Sequence, residues 1–130
     1  MASGHKEEAE ATTAEERREW WATGGQGQLR QLLYWRWDPI GVNRHFPSTH
    51  TEYDSYADSM RGLMIGDADE VELEADVLRA VLRAQQAMGF EQDPGAEEER
   101  RGLTEMILEW RYQSIWLWKR FPGGRRRPEG

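Results

Sequence analysis

Apolar residues recur at three- and four-residue spacing along most of the chain, which is the pattern of helices that bury one face. Leu29, Leu32 and Leu33 form such a stripe, in a helix that starts near Gln28 and must end before Pro39. No segment alternates with a period of two for long enough to predict a strand. The pattern therefore predicts an all-α fold, a small bundle of about four helices with disordered termini.

A short first helix is predicted ahead of that stripe. Thr13 and Glu16 have the spacing of a capping box, and two adjacent tryptophans are the only apolar anchors that follow. The run GGQG at residues 24–27 is typical of a helix breaker. We therefore expect this helix to end near Thr23.

Two further helices follow a turn and a loop. Thr51 is placed to cap the first, whose apolar positions recur over residues 53–64 and which stops at Gly66. The second begins near Asp67 and ends at Gly89. Its apolar positions cover more than half of its circumference, so we expect it to lie centrally and to contact two neighbours.

The last helix is predicted from Ala96 to Arg120. Trp110 and Trp118 lie on its main apolar stripe, and a second apolar side faces away from them. Either the helix is sandwiched between neighbours, or the second side binds a partner, because aromatic residues are common interface anchors. The residues of the second side are Leu108, Tyr112, Ile115 and Trp116.

Length and composition set limits on the function. The chain of 130 residues suits one helical domain at residues 13–121, between a disordered segment at 1–12 and a disordered basic tail at 122–130. The net charge of −7 argues against a general nucleic-acid binder. The absence of cysteine excludes disulfides and thiolate chemistry. We expect a cytoplasmic protein, because the sequence has neither a membrane-length apolar run nor a secretory signal.

Possible catalytic or metal-binding groups concentrate in one stretch. His45, His50, Glu52 and Asp54 offer nitrogen and oxygen donors within ten residues, but they lack the helical spacing of known ligand pairs. Asp54 and Asp58 lie one turn apart and are more typical of acids that complement the positive end of a helix dipole. We therefore predict no catalytic residue, no metal and no cofactor.

Two motifs provide a family resemblance. The sequence WDPIGV at residues 37–42 is followed by EYDSY at residues 52–56 and by a helix stop at residues 88–90 (MGF). This combination resembles a family of small bacterial proteins of unassigned function, some of which look like candidate immunity proteins encoded beside toxins. The resemblance covers about residues 28–90. It implies a compact helical domain. No catalytic residues are established for the family, so the resemblance assigns none to this chain.

The function predicted from these observations is that of a non-enzymatic protein-binding module, most concretely an immunity-type inhibitor of a bacterial toxin. The partner is expected to be basic, because acids cluster at the predicted helix starts. One alternative is a self-assembling component that uses an aromatic helix face, which includes a homodimer. Another is a metal- or small-molecule-dependent enzyme centred on residues 45–54. The predicted partner-binding residues are Trp37, Asp38, Glu52, Tyr53, Asp54, Tyr56, Tyr112 and Trp116. The other interpretation of Trp37, Asp38, Tyr53 and Tyr56 is structural: they would pack around the turn predicted at residues 38–41, which follows the helix that starts near Gln28.

Overall fold

A computed structural model of the protein describes residues 11–37 and 53–121. These two ranges are helical and contain no strand, which confirms the predicted small all-α bundle. The order is α1 (residues 14–37), the short pair α2 (Asp54–Asp58) and α3 (Arg61–Ile65), α4 (Glu70–Met88) and α5 (Ala96–Arg120). Most of the two terminal segments predicted to be disordered lies outside the described ranges, although Thr12 is described and is buried.

Helix α1 runs without interruption through the glycine-rich stretch, so the predicted helix end near Thr23 is wrong. Its four consecutive parts are α-helical at Ala14–Trp20 and Gln26–Leu32, and π-helical at Trp21–Gly25 and Leu33–Trp37. Gly25 has ordinary helical angles (φ −59°, ψ −42°). A Cβ atom on Gly25 would come within 2.7 Å of the indole ring of Trp20, so this glycine permits close packing rather than a turn.

The helix ends follow local sequence signals. Thr13 and Glu16 form the predicted capping box of α1. The side chain of Asp69 caps α4 by accepting a hydrogen bond from the backbone N–H of Glu72 (2.9 Å). Gly89 ends that helix in the left-handed conformation (φ 83°), and α5 has the bounds that the sequence predicts.

The helix predicted to stop at Gly66 is divided into α2 and α3. The division falls at Ser59 and Met60, between the two short helices. The predicted cap at Thr51 lies outside the described residues.

Two buried arginines hold the C-terminal end of α3. Arg17 of α1 donates a hydrogen bond from Nε to the carbonyl oxygen of Ile65 (2.8 Å), and Arg111 of α5 donates from Nε to that of Met64 (2.8 Å). The two side chains are 6% and 5% exposed. Cations at the negative end of a helix stabilise it and supply donors to carbonyl groups that lack a partner within the helix. Arg17 and Arg111 therefore tie three helices together.

The core lies where α5 passes between α1 and α4. Helix α5 buries Leu103 and Ile107 on its main stripe and also Leu108 and Ile115 on the other side, which favours the sandwiched alternative. In α4 a single stripe is fully buried, whereas Val71 is 77% exposed. The central position predicted for α4 therefore belongs to α5, although α4 does contact two neighbours, α3 and α5, as predicted. The hydrophobic residues of the buried α4 stripe are Leu73, Val77, Val81 and Ala84.

Candidate functional site

The stretch in which the sequence concentrates reactive side chains is only partly described. Asp38, His45, His50 and Glu52 lie outside the described residues. Within residues 11–37 and 53–121, no group of three or more histidine, aspartate or glutamate side chains is placed to hold a metal ion. The alternative of an enzyme centred on residues 45–54 therefore stays a prediction.

Trp37 and Tyr53, which stand on either side of that stretch, come together inside the core. Their ring centroids are 6.0 Å apart, and the ring of Tyr34 lies 6.4 Å from that of Tyr53. Trp37 is 8% exposed and Tyr53 is 1% exposed, so both side chains contribute to packing in this conformation. The burial agrees with the structural interpretation of the motif. Their predicted role in partner binding stays untested.

The two carboxylates that could have formed an acid–base pair are tied to α1. Asp58 accepts hydrogen bonds from Arg30 Nε (3.1 Å), Arg30 Nη2 (2.9 Å) and Gln26 Nε2 (3.1 Å), and a carboxylate oxygen of Asp54 lies 3.9 Å from Arg30 Nε. The hydrogen bonds from Arg30 lower the pKa of Asp58; partial burial opposes this effect, and the Gln26 amide reinforces it. Asp58 therefore links α2 to α1 as an ionised side chain.

Tyr56, Tyr112 and Trp116 complete the described part of the predicted set. Tyr56 and Tyr112 are half-buried and pack against the core. Trp116 is also half-buried, and the guanidinium carbon of Arg120 lies 4.9 Å from its ring centroid, within the range of a cation–π contact. Because Trp37 and Tyr53 are buried, the described members of the set do not form one continuous exposed patch.

An open cavity of about 850 Å³ lies between α1 and α5. Its walls are mainly apolar: Leu32 and Trp35 come from α1, and Met106 and Trp110 come from α5. Trp35 is 48% exposed. Apolar clefts with aromatic walls are the usual form of small-molecule sites, and large accessible apolar patches mark surfaces that bind proteins, membranes or ligands.

A second cavity, of about 250 Å³, continues the first and shares Gly24 and Gln28 with it. Leu117 and Phe121 line it and are 48% and 59% exposed. We call the two cavities together the α1–α5 groove. At a rise of about 1.5 Å per residue, the wall from Met106 to Phe121 is about 22 Å long.

Hydrogen bonds of indole N–H groups fix side chains that line this groove. Trp20 Nε1 donates to Ser114 Oγ (2.9 Å), and Ser114 Oγ donates to Gln28 Oε1 (2.7 Å). Trp110 Nε1 donates to the same glutamine oxygen (2.8 Å). The rings of Trp20 and Trp110 are also in contact, with centroids 5.6 Å apart. Since each of these donors has a partner, the two tryptophans are held in one orientation.

Two features of α1 distinguish the groove from an ordinary gap between helices. Both π-helical segments contribute to its wall, the first through Gly24 and the second through Trp35 and Arg36. Single π-helical turns are rare and frequently occur at functional sites. Gly27 also lines the groove, and nothing in the described ranges lies within 4 Å of the position that its Cβ would occupy. Because an interior helical glycine costs about 1 kcal/mol relative to alanine, Gly27 leaves open space at a cost in stability.

The groove residues were not among those predicted from the sequence. The relevant signal is the pair Gly24 and Gly27, three residues apart between two segments with apolar residues at helical spacing. In a continuous helix such a pair leaves a strip of backbone uncovered. The interpretation of residues 24–27 as a helix breaker places no helix there and therefore predicts no groove.

Comparisons of the chain with protein-family models, with curated proteins and with solved structures give no match. The resemblance carried by WDPIGV and EYDSY stays a prediction that these comparisons do not test. In the part of the chain that the structure describes, none of the helices has the length and apolar character of a membrane span. The case for a function therefore depends on the α1–α5 groove.

Proposed function

We propose that this protein is a non-enzymatic protein-binding module and that the α1–α5 groove is its binding surface. The observation that carries the proposal is the row of accessible apolar side chains along the groove, above all Trp35, Leu117 and Phe121. Tryptophan is the residue type most often found as an anchor in protein interfaces. A wall of about 22 Å matches one face of a helix of about 15 residues.

The most concrete version of this proposal is an immunity-type inhibitor that binds a bacterial toxin in the cytoplasm. Its support is the resemblance of residues 37–42 and 52–56 to small bacterial proteins, some of which look like candidate immunity proteins. The net charge of −7 would accelerate association with a basic toxin through long-range attraction. The groove would supply the apolar contacts that stabilise the complex.

Isothermal titration calorimetry with the toxin encoded beside the gene tests both parts. We expect a stable complex in which Trp35→Ala weakens binding by about 30-fold, the loss that corresponds to about 2 kcal/mol at an aromatic anchor. Val71→Ala is the matched control, because Val71 is exposed on α4 outside the groove lining. Equal affinity of the Trp35→Ala variant and the wild type would reject the groove as the binding surface. If the protein forms no complex with the product of any neighbouring gene, the proposal of a toxin inhibitor is rejected.

A further inference from the structure

The α1–α5 groove carries one cation and one anion, and this pairing indicates what occupies it. Arg36 lines the groove from α1, and Glu109 lines it from α5. Both residues are exposed, and neither has an ion-pair partner among the described residues. The remaining lining residues in the described ranges are uncharged, so the groove is neutral on a chain of net charge −7.

Balanced charges of this kind suit a self-complementary surface. In a twofold-symmetric interface, a residue of one copy that contacts a second residue of its partner is contacted in the same way in return. One unpaired cation and one unpaired anion therefore make two ion pairs across the interface, and no charge is left over. Partly buried pairs of this kind add specificity to an apolar interface.

We infer that the occupant of the α1–α5 groove is a second copy of this chain, in a twofold-symmetric dimer in which Arg36 of each copy pairs with Glu109 of the partner subunit. The dimer covers the accessible apolar side chains Trp35, Leu117 and Phe121. This inference rests on the proposed function, because a dimer of this kind requires the groove to bind protein. It adds the identity of one partner, a second copy of the chain. A toxin that uses the groove displaces the second copy, so the dimer is the resting form of the molecule.

The open space at Gly27 has a function in this dimer. Nothing in the described part of the chain lies within 4 Å of its Cβ position, so a facing helix is free to approach the α1 backbone closely. Glycine at a helix surface permits such an approach, whereas a larger side chain separates the two helices. The dimer therefore accounts for a glycine that packing within one chain does not require.

Sedimentation equilibrium from micromolar to millimolar concentration is the test. We expect the mass to rise from one chain to two. Arg36→Glu and Glu109→Arg each create a contact between like charges at both symmetry-related positions of the interface. Each is expected to lower the affinity of the dimer by about tenfold or more. The double variant restores opposite charges and is expected to recover the wild-type affinity. Arg18→Glu is the control, because Arg18 is an exposed residue of the same helix outside the groove lining.

Any of three results would overturn the inference. The first is a mass of one chain at every concentration. The second is a dimer affinity of the single charge-reversal variants equal to that of Arg18→Glu, and the third is a double variant whose dimer is as weak as those of the single variants. Circular dichroism of each variant confirms that the fold is intact. A monomeric protein whose toxin binding still depends on Trp35 rejects the dimer and leaves the proposed function standing. If Trp35→Ala changes neither dimer formation nor toxin binding, both proposals are rejected.

Discussion

Gly25 and Gly27 lie two residues apart in α1, yet alanine at these two positions is expected to change stability in opposite directions. Gly27 is exposed, and nothing lies within 4 Å of its Cβ position in the described chain. In the monomer, at protein concentrations below those at which the dimer forms, Gly27→Ala therefore adds only helix propensity, and we expect it to raise the free energy of unfolding by about 0.8–1 kcal/mol.

At Gly25 the same gain is outweighed by a steric clash. A Cβ atom would lie 2.7 Å and 2.8 Å from two ring atoms of Trp20. The ring is 1% exposed, its N–H is bound to Ser114, and it contacts Trp110, so it has no free space to move into. Extra volume in a well-packed core costs about 1–3 kcal/mol. Since both variants gain the same propensity, the difference between them equals this cost.

Urea denaturation followed by far-UV circular dichroism measures the difference. With a denaturant slope of about 2 kcal/mol per molar urea, a gap of about 2 kcal/mol separates the two unfolding midpoints by about 1 M. The wild type should lie between the two variants. If both alanines stabilise the protein equally, Trp20 does not cover Gly25 and the packing described for α1 is wrong.

Three further perturbations test individual contacts. Ser114→Ala removes the acceptor of the buried Trp20 N–H, and we expect the free energy of unfolding to fall by about 1–3 kcal/mol in the same urea assay; an unchanged midpoint would contradict the hydrogen bond. Arg111→Met keeps the aliphatic stem and removes the donors to the end of α3, so we expect a loss of about 1.5–3 kcal/mol. Hydrogen exchange should then accelerate first in α3, and an even increase over the whole chain would argue against a local role. The hydrogen bonds from Arg30 lower the pKa of Asp58 in the folded protein, so their stabilising effect is complete above the unfolded pKa of about 4 and is lost as the pH falls through the lower folded value. Asp58→Asn should remove this part of the acid sensitivity. The pH-dependent free energy that is lost should be less than about 1 kcal/mol, because the pair is partly exposed. An acid unfolding curve with the wild-type slope would contradict this assignment.

The elements that local signals determine were predictable from the sequence. The capping box of Thr13 and Glu16, the glycine stop at Gly89 and both ends of α5 depend on residues within one helical turn. Such signals act through hydrogen bonds to the nearest free backbone groups, so neighbouring residues are sufficient to locate them.

Features that depend on distant contacts were not predictable in this way. Glycine in a helix is disfavoured locally, but any side chain at Gly25 would clash with Trp20. The aromatic character of Trp37 and Tyr53 did not indicate whether they face the core or a partner, since both environments favour such residues. Arg17 is buried by the end of α3, a contact 48 residues away in sequence.

The candidate site belongs to this second class. Gln28 and Trp110 are joined by a hydrogen bond across 82 positions, and the groove exists only where α1 and α5 lie side by side. Apolar periodicity places residues on the face of a helix but does not specify which face of another helix it meets. The groove could therefore not be predicted from the sequence, although Gly24 and Gly27, which line it, are visible there.

The most direct test of the central claim, that the α1–α5 groove binds protein, is nuclear magnetic resonance of the seven tryptophan indole N–H groups. The signals are followed as the protein concentration is raised and again as the toxin is added. The account predicts that Trp35 and Trp110, which line the groove and are accessible, shift most. Trp20 and Trp37, which are 1% and 8% exposed, should shift little. Signals that stay constant at Trp35 and Trp110 while Trp116, outside the groove lining, responds would contradict it.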